Sequence, residues 1–340
     1  MNGKVRAAVI GAGTIAERHV RAMLAHQRTE LIAVSDIQLQ RAKALSQGRA
    51  AVYADYKEMI RQERPDVVVI TLPHYLHKET AVFSAEQKCH VLLEKPMAMN
   101  AAESREINQA AVRNGIVLAV GHMQHYFPAN AEAKKIAASG QLGRLVMVHD
   151  KRYGNYFRKE RPEWFLQREK AGGGVVINLG NHSIDKVQWI TGREIVKVRA
   201  VLSYYGNRGD VEGSGCLFML TDDHVPVTAS ICSYEGMPLQ ETELLFTNGK
   251  LKVRGSDELW ISDGGEYKPV SVERKDAFFA QWTAMLDAIE HGAPLSNSGD
   301  YSAKISAVID AAYRSHETGK EETAGIDGQP DACPPSHIFH

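Results

Sequence analysis

The chain has 340 residues, 44% of them hydrophobic and 24% charged, and its 40 Lys and Arg against 41 Asp and Glu leave a formal net charge of -1. That length supports two domains with cores of their own, and the balanced charge, without a long basic run, excludes the electrostatic footprint of a nucleic-acid binder. No apolar run reaches the length of a membrane span, and Cys89, Cys216, Cys232 and Cys333 show neither CxxC nor zinc-type spacing, so free thiols in a reducing compartment, the cytoplasm, are expected.

The opening MNGKVRAAVIGAGTIAERH reads as a folded strand and turn, not a signal peptide, because no cleavage-type region follows its short apolar stretch. Residues 5–10 are an apolar run typical of a buried parallel strand, and Gly11-Ala12-Gly13-Thr14-Ile15-Ala16 follows at once. Ile15, His19, Val20, Met23 and Leu24 then recur at helical spacing. Strand, glycine turn and helix start together make a dinucleotide-binding fingerprint of the form GxGxxA. Gly11 permits the tight turn, Gly13 lets the backbone approach a pyrophosphate, and Ala16 allows close packing of helix on strand. The free N–H groups of the first turn, from Thr14 and Ile15, face the phosphates. A second apolar strand at 31–35 ends in Asp36, placed as an acid that bonds the ribose hydroxyls of NAD. The next residue is Ile37 and not an arginine that would receive a 2′-phosphate, so NAD is expected in preference to NADP.

The alternation continues to residue 120. Strands are predicted at 67–71, 90–94 and 116–120, separated by helices at 55–63, 78–88 and 101–114, which is a doubly wound parallel sheet. Ligands in such sheets lie beyond the strand C-termini. After the strand at 67–71 comes Leu72-Pro73-His74-Tyr75-Leu76-His77. Two histidines three apart in a loop, with no acidic or Cys partner nearby, make a poor metal site, and no metal is expected. Pro73 and His77 are expected to pack around the nicotinamide or its ribose. Glu94-Lys95-Pro96 follows the next strand. A lysine in this crevice is placed as a general acid or base, since desolvation and a cationic nicotinamide both lower its pKa. Without that context a strand-end lysine is simply solvated. Glu94 either holds a ribose hydroxyl or partners Lys95.

Beyond Gly121 the pattern changes. A helix at 129–139 leads through Gly143 to a strand at 145–151 that ends in Arg152 and Tyr153. The segment 155–170 carries Tyr156, Phe157, Arg158, Lys159, Arg161, Trp164, Phe165, Arg168 and Lys170. It is either a solvated surface or a substrate lid whose arginines meet a phosphate or carboxylate. GGGVVINLGNHSID, from Gly172 to Asp185, sets Asn178, His182 and Asp185 at spacings of four and three, one face if helical. Gly180 lies among them where a side chain would obstruct another backbone or a ligand. On the motif alone this His is more often a core or surface residue; Asp185 either orients its imidazole or is a surface or capping acid. Period-two segments follow: 196–204, 215–221, 225–233, 241–247 and 259–262. Two closing helices bear core stripes, Phe278, Trp282, Met285 and Ile289 on one, Ile305, Val308, Ile309 and Ala312 on the other. The tail from Lys320 has little apolar content and is expected to be loosely ordered in part. The fold class predicted is α/β plus α+β: a Rossmann domain over 1–122, a second domain over 123–320 on a large, mostly antiparallel open sheet covered by helices on one face, and a tail over 321–340.

GAGTIA, Asp36, LPHYLH, EKP, VGHMQHYFPAN and GGGVVINLGNHSID, in this order, resemble the Gfo/Idh/MocA family, the glucose-fructose oxidoreductase and inositol dehydrogenase group. The likeness reaches to about Gly319. It implies NAD(P)-dependent hydride transfer between nicotinamide and a secondary alcohol or ketone of a sugar, cyclitol or sugar nucleotide. It implies a cis Lys95-Pro96 bond, and proton transfer and substrate orientation by Lys95 and His182. His122, Tyr126, Arg152, Trp164, Asn178 and His182 are then the expected substrate contacts. The family motif commonly has Asp where this chain has Asn178, which cannot ionise but still bonds a hydroxyl. Relatives similar to sugar-nucleotide 3-dehydrogenases also carry Asn there, and Asn178→Asp is expected to be tolerated or to accelerate turnover. The open sheet face pairs with a second subunit in this family, which implies a homodimer or homotetramer. Two other classes stay open: an NAD-dependent glycoside hydrolase, and a non-catalytic NAD-binding regulator, which would need neither Lys95 nor His182.

Overall fold

The structure, a computed structural model, describes residues 3–325. Chain order in the first half is β1 (Val5–Ile10), α1 (Thr14–Ala25), β2 (Thr29–Ser35), α2 (Leu39–Ser46), β3 (Ala51–Tyr53), α3 (Tyr56–Glu63), β4 (Val67–Ile70), α4 (His77–Glu86), β5 (His90–Leu93), α5 (Ala101–Asn114) and β6 (Leu118–Val120). Every pairing is parallel, in the order β3-β2-β1-β4-β5-β6. β4 is Val-Val-Val-Ile and wholly buried, as a central strand with helices on both faces requires. Helix starts follow local chemistry: Asp55 accepts from Lys57 N and Glu58 N to cap α3, and Asn100 accepts from Glu103 N to cap α5. The chain order reverses between β1 and β4, so the ligand crevice opens there, beyond their C-terminal ends. The sequence pattern missed α2 and β3, because a three-residue strand is too short to show a period.

The second half contains α6 (Pro128–Ser139), β7 (Leu145–Tyr153), α7 (Arg168–Ala171), α8 (Asn181–Thr191), β8 (Ile195–Ser203), β9 (Ser214–Thr221), β10 (Pro226–Cys232), β11 (Leu239–Phe246), β12 (Gly249–Arg254), β13 (Glu258–Ser262), β14 (Lys268–Val270), α9 (Ala277–His291), α10 (Gly299–Thr318) and β15 (Glu322–Thr323). The sheet order is β14-β13-β12-β11-β7-β10-β9-β8-β15. All neighbours are antiparallel except β7 and β10, which run parallel at its centre. β12, β14 and β15 were not anticipated. β15 lies in the stretch expected to be loose, where Glu322 and Thr323 pair with Val198 and Lys197 at the sheet edge; the rest of the tail, from residue 326 and including Cys333, lies outside the described residues.

The closing helices join the two sheets. On α9, Trp282 and Met285 are buried with Val5, Val20 and Leu31 of the Rossmann layer, and Trp282 Nε1 donates to Thr29 Oγ1 at 2.8 Å. Phe278 and Ile289 flank that cluster, partly buried. The α10 stripe enters the core of the second sheet instead. Its Asp310 also accepts from Ala101 N at 2.9 Å, and Ser306 meets Ser104, both on α5. Among the described residues no helix is long and apolar enough to cross a membrane.

Candidate active site

The turn after β1 is shaped for close backbone approach. Gly11 has φ +94°, and a Cβ there would stand 2.7 Å from Thr71 O, so only glycine fits. At Gly13 a Cβ would meet nothing within 4 Å, which leaves the backbone bare on its outer side. No side chain caps α1, so its first N–H groups, at Thr14 and Ile15, remain free for an anion. The Asp36 carboxylate accepts from Ala12 N at 2.8 Å and from Gln38 N at 2.7 Å, which fixes it against the glycine turn. Each oxygen keeps a lone pair for a ribose hydroxyl. Ile37 is 88% exposed beside it. These residues fit a dinucleotide.

Lys95 follows β5, and its peptide bond to Pro96 is cis. Its Nζ donates to Asn178 Oδ1 at 3.0 Å. Burial lowers the pKa to about 8; Glu94 works against this, while Arg152 and Arg161 add to it. Of the two places expected for Glu94, a ribose hydroxyl or Lys95, the structure shows a contact to Lys95, made through its backbone N–H. Glu94 is buried, its Oε1 meets His19 Nε2 at 2.8 Å, and Oε2 accepts the Lys95 backbone N–H at 3.1 Å. Gly121 makes room for it, since a Cβ there would come within 3.0 Å of the carboxyl carbon. Burial of Lys95 outweighs the pull of the Glu94 carboxylate, and the pKa stays depressed.

The glycine-rich segment is not one continuous α-helix. Gly172, φ +80°, ends α7, and a π-helical turn over Val176–Gly180 precedes α8. Such turns insert an extra residue into the helical register and recur at functional sites. Glu212, itself buried, clamps the entry: it accepts from Gly174 N and Val176 N at 2.9 Å and from Tyr313 OH at 2.8 Å. Gly174 is required because a Cβ would collide with Glu212 O, and a side chain at Gly180 would press on Ile231 Cδ1 of β10 at 3.0 Å. Gly180 therefore answers to packing against the sheet, not to a ligand.

The register shift separates the three polar residues of the motif. Asn178 reaches Lys95, and its Nδ2 donates to Tyr156 OH at 3.4 Å. Burial, followed by the charges of Lys95 and Arg152, pushes the His182 pKa well below its ordinary value, so the ring is neutral. Its Nδ1 is buried and, among the described residues, has no hydrogen-bond partner. Asp185 does not orient it. The Asp185 carboxylate is fully buried, takes His125 Nε2 at 2.8 Å and Tyr301 OH at 2.9 Å, and lies 3.4 Å from His122 Nδ1. Burial opposes its charge, but His122 and His125 outweigh that and hold it far below the usual carboxylate range.

The remaining predicted residues divide in the same way. His77, expected beside the cofactor, is fully buried, with Nδ1 against Pro96 O at 2.9 Å and Nε2 against Leu72 O at 2.8 Å. Both nitrogens are spent on tying the loop after β4 to the turn after β5. Pro73 opens that loop, ahead of the short 3-10 turn His74–Leu76. His122, expected at the substrate, is buried between Ser302 Oγ at 2.9 Å and Asp185. The Tyr126 hydroxyl is given to Asn297 Oδ1 at 3.0 Å. Arg152 is buried under α8, where its Nε meets Ser183 Oγ at 3.3 Å, and it acts on Lys95 and His182 through charge. Trp164 stacks on Phe165 at 3.7 Å and meets the His74 ring edge-on at 4.8 Å, which brings the segment after β7 over the loop after β4. Sequence reasoning missed His19, Tyr156, Glu212 and Tyr313. Only Tyr156 stood in a segment already suspected.

Residues 5–122 match the family model described as oxidoreductase family, NAD-binding Rossmann fold, and residues 130–252 match the GFO/IDH/MocA C-terminal domain. D-glucoside 3-dehydrogenase of Escherichia coli (strain K12) is 32% identical over 198 residues, 57% of this chain and 56% of that enzyme, so the chain spans little more than half of its length. Inositol 2-dehydrogenase of Salmonella typhimurium (strain LT2) is 24% identical over 96% of this chain and 98% of the other. Levoglucosan dehydrogenase in complex with NADH superposes with a TM-score of 0.88 at 19% identity, covering 95% of this chain and 99% of that one, a likeness of fold.

Proposed function

Since the chain belongs to the Gfo/Idh/MocA oxidoreductase family, we propose that it is an NAD-dependent dehydrogenase acting on a secondary alcohol of a sugar, cyclitol or sugar derivative. The observation that carries this reading is the meeting of Lys95 from the nucleotide half with Asn178 from the second half at 3.0 Å. NAD, when bound, supplies the hydride acceptor. Gly11, Gly13, Thr14 and Ile15 would hold its pyrophosphate by backbone, and Asp36 would hold the adenosine ribose. Lys95, its pKa brought by burial to about 8, accepts the hydroxyl proton of the substrate. His182, neutral, bonds that hydroxyl or its neighbour and fixes which carbon faces the nicotinamide. Asn178 orients the Lys95 amine and offers its amide to a second hydroxyl. The test is formation of NADH on a panel of polyols and sugars by the purified protein; NAD binding without any turnover across that panel would favour a regulator, and glycoside cleavage without net NADH would favour the hydrolase.

The choice of NAD over NADP rests on Asp36 and Ile37. Asp36→Ala is expected to weaken NAD by roughly 10- to 100-fold, the value of one or two charge-assisted hydrogen bonds, while NADP binding changes less. Titration calorimetry with both nucleotides measures this, and equal losses for the two would contradict the assignment.

We further read the chain as a homo-oligomer through its second sheet. Val201, 64% exposed on β8, and Phe218, 45% exposed on β9, share the sheet face opposite the helices, and strand faces of this kind are covered by a second copy. A dimer or tetramer mass by light scattering is expected, reduced toward the monomer by Val201→Lys with Phe218→Lys. A monomeric parent protein would rule this out.

A further inference from the structure

The segment between β7 and the glycine-rich turn carries more cations than a neutral polyol needs, and the structure sorts them. Arg158, Lys159 and Arg168 are exposed, and Arg168 pairs with Glu317 at 3.3 Å. Arg161 is different. Its guanidinium carbon lies 4.1 Å from the centroid of the Tyr156 ring and 4.8 Å from that of Phe165, so aromatic faces hold it in place. Among the described residues its buried Nε has no hydrogen-bond partner, and no carboxylate stands within ion-pair distance of it. Tyr156 connects it to the chemistry: the hydroxyl of the ring under Arg161 is 3.4 Å from Asn178 Nδ2, and Asn178 Oδ1 is 3.0 Å from Lys95 Nζ.

We infer that the substrate bears a carboxylate, and that Arg161, held between Tyr156 and Phe165, receives it. This rests on the dehydrogenase reading above. A guanidinium stacked on aromatic rings has its faces occupied and its edge N–H groups free, the geometry that meets a carboxylate in a bidentate pair. A partly desolvated cation with no protein counter-charge is costly alone and is offset by an anion brought in by the ligand. One such cation matches one negative charge. A phosphate dianion would leave a charge over, since Arg158, Lys159 and Arg168 face solvent. The carboxylate then sits about one aromatic ring away from the hydroxyl served by Lys95 and Asn178. The same cation contributes to the lowered pKa of Lys95, so neutralising it on binding ties the state of the base to the presence of the anionic substrate.

The experiment uses the NADH-loaded protein, where oxidation cannot proceed, and follows nucleotide fluorescence during titration with matched pairs: D-glucuronate against D-glucose, D-gluconate against D-glucitol, quinate against myo-inositol, and D-glucose 6-phosphate as the dianion. At least one carboxylate is expected to bind tenfold or more tightly than its neutral partner. Arg161→Met, which keeps apolar contact with the two rings, is expected to remove that preference and to leave NADH affinity unchanged. Equal or tighter binding of the neutral partners, tighter binding of the phosphate ester, failure of all three carboxylates to bind, or a preference that survives Arg161→Met each overturns the inference and leaves the dehydrogenase reading standing. Failure of the parent protein to bind NADH overturns that reading itself.

Discussion

Lys95→Met lowers turnover by about 10² or more and leaves the NAD dissociation constant close to that of the parent, because the change removes a proton acceptor and little volume. The sign of the pH dependence follows from the site. Burial brings Lys95 to about 8, so the amine that accepts a proton accumulates as pH rises through that value, and oxidation accelerates with it. The variant loses this inflection. Asn178→Asp then discriminates between proton transfer by Lys95 and mere charge. A carboxylate 3.0 Å from Nζ, where the amide oxygen now lies, stabilises the ammonium and raises its pKa. The inflection moves to higher pH, so that near neutrality turnover falls although the high-pH plateau is kept. The family resemblance alone suggested tolerance or acceleration; the geometry confines that expectation to alkaline solution. A pH–rate profile from 6 to 10 on the three proteins decides, and a Lys95→Met profile that still rises through pH 8 excludes the lysine as the base.

What could be read from the sequence was local. The glycine turn, Asp36 and Lys95 each follow a strand whose apolar run is visible, and their roles depend on being at a strand end. Asn178 and His182 were found because four residues separate them. For Asp185, spacing on one helix likewise left a partnership with His182 open beside a surface or capping role, whereas the carboxylate turns to His125 and Tyr301, 60 and 116 residues away in sequence. The further partners of Glu94 and His77 were equally out of reach, because His19 lies 75 residues from Glu94 and the carbonyl of Pro96 lies 19 from His77. A π-turn leaves no mark in a hydrophobic period, so the splitting of the motif between two sites was not foreseeable. Arg161 shows the opposite limit. The segment was recognisable as basic and aromatic, but which arginine folds inward depends on Tyr156 and Phe165 packing under it, a tertiary fact.

Glu212→Ala destabilises the protein by about 2–5 kcal/mol and weakens turnover without weakening NAD binding. Three donors meet this carboxylate, the N–H groups of Gly174 and Val176 and the hydroxyl of Tyr313. An orphaned buried donor costs about 1–3 kcal/mol. Relief from burying the carboxylate itself, whose pKa is raised by burial against the pull of its hydrogen bonds, offsets part of the sum. The unfolding midpoint in urea reads the loss. Tyr313→Phe removes one donor and spares the backbone pair, so it is expected to cost about 1 kcal/mol and little activity. Glu212→Gln keeps one acceptor oxygen and falls between. The catalytic effect comes from position: the freed N–H groups lie at the entry to Val176–Gly180, and a turn that loses its clamp no longer holds Asn178 at Lys95 or His182 beside it. The proposed NAD contacts after β1, on α1 and after β2 precede Lys95 in the chain and do not pass through Glu212. If Glu212→Ala shifts neither the urea midpoint nor turnover, the clamp is not what sets this turn, and the burial of a carboxylate there has another cause.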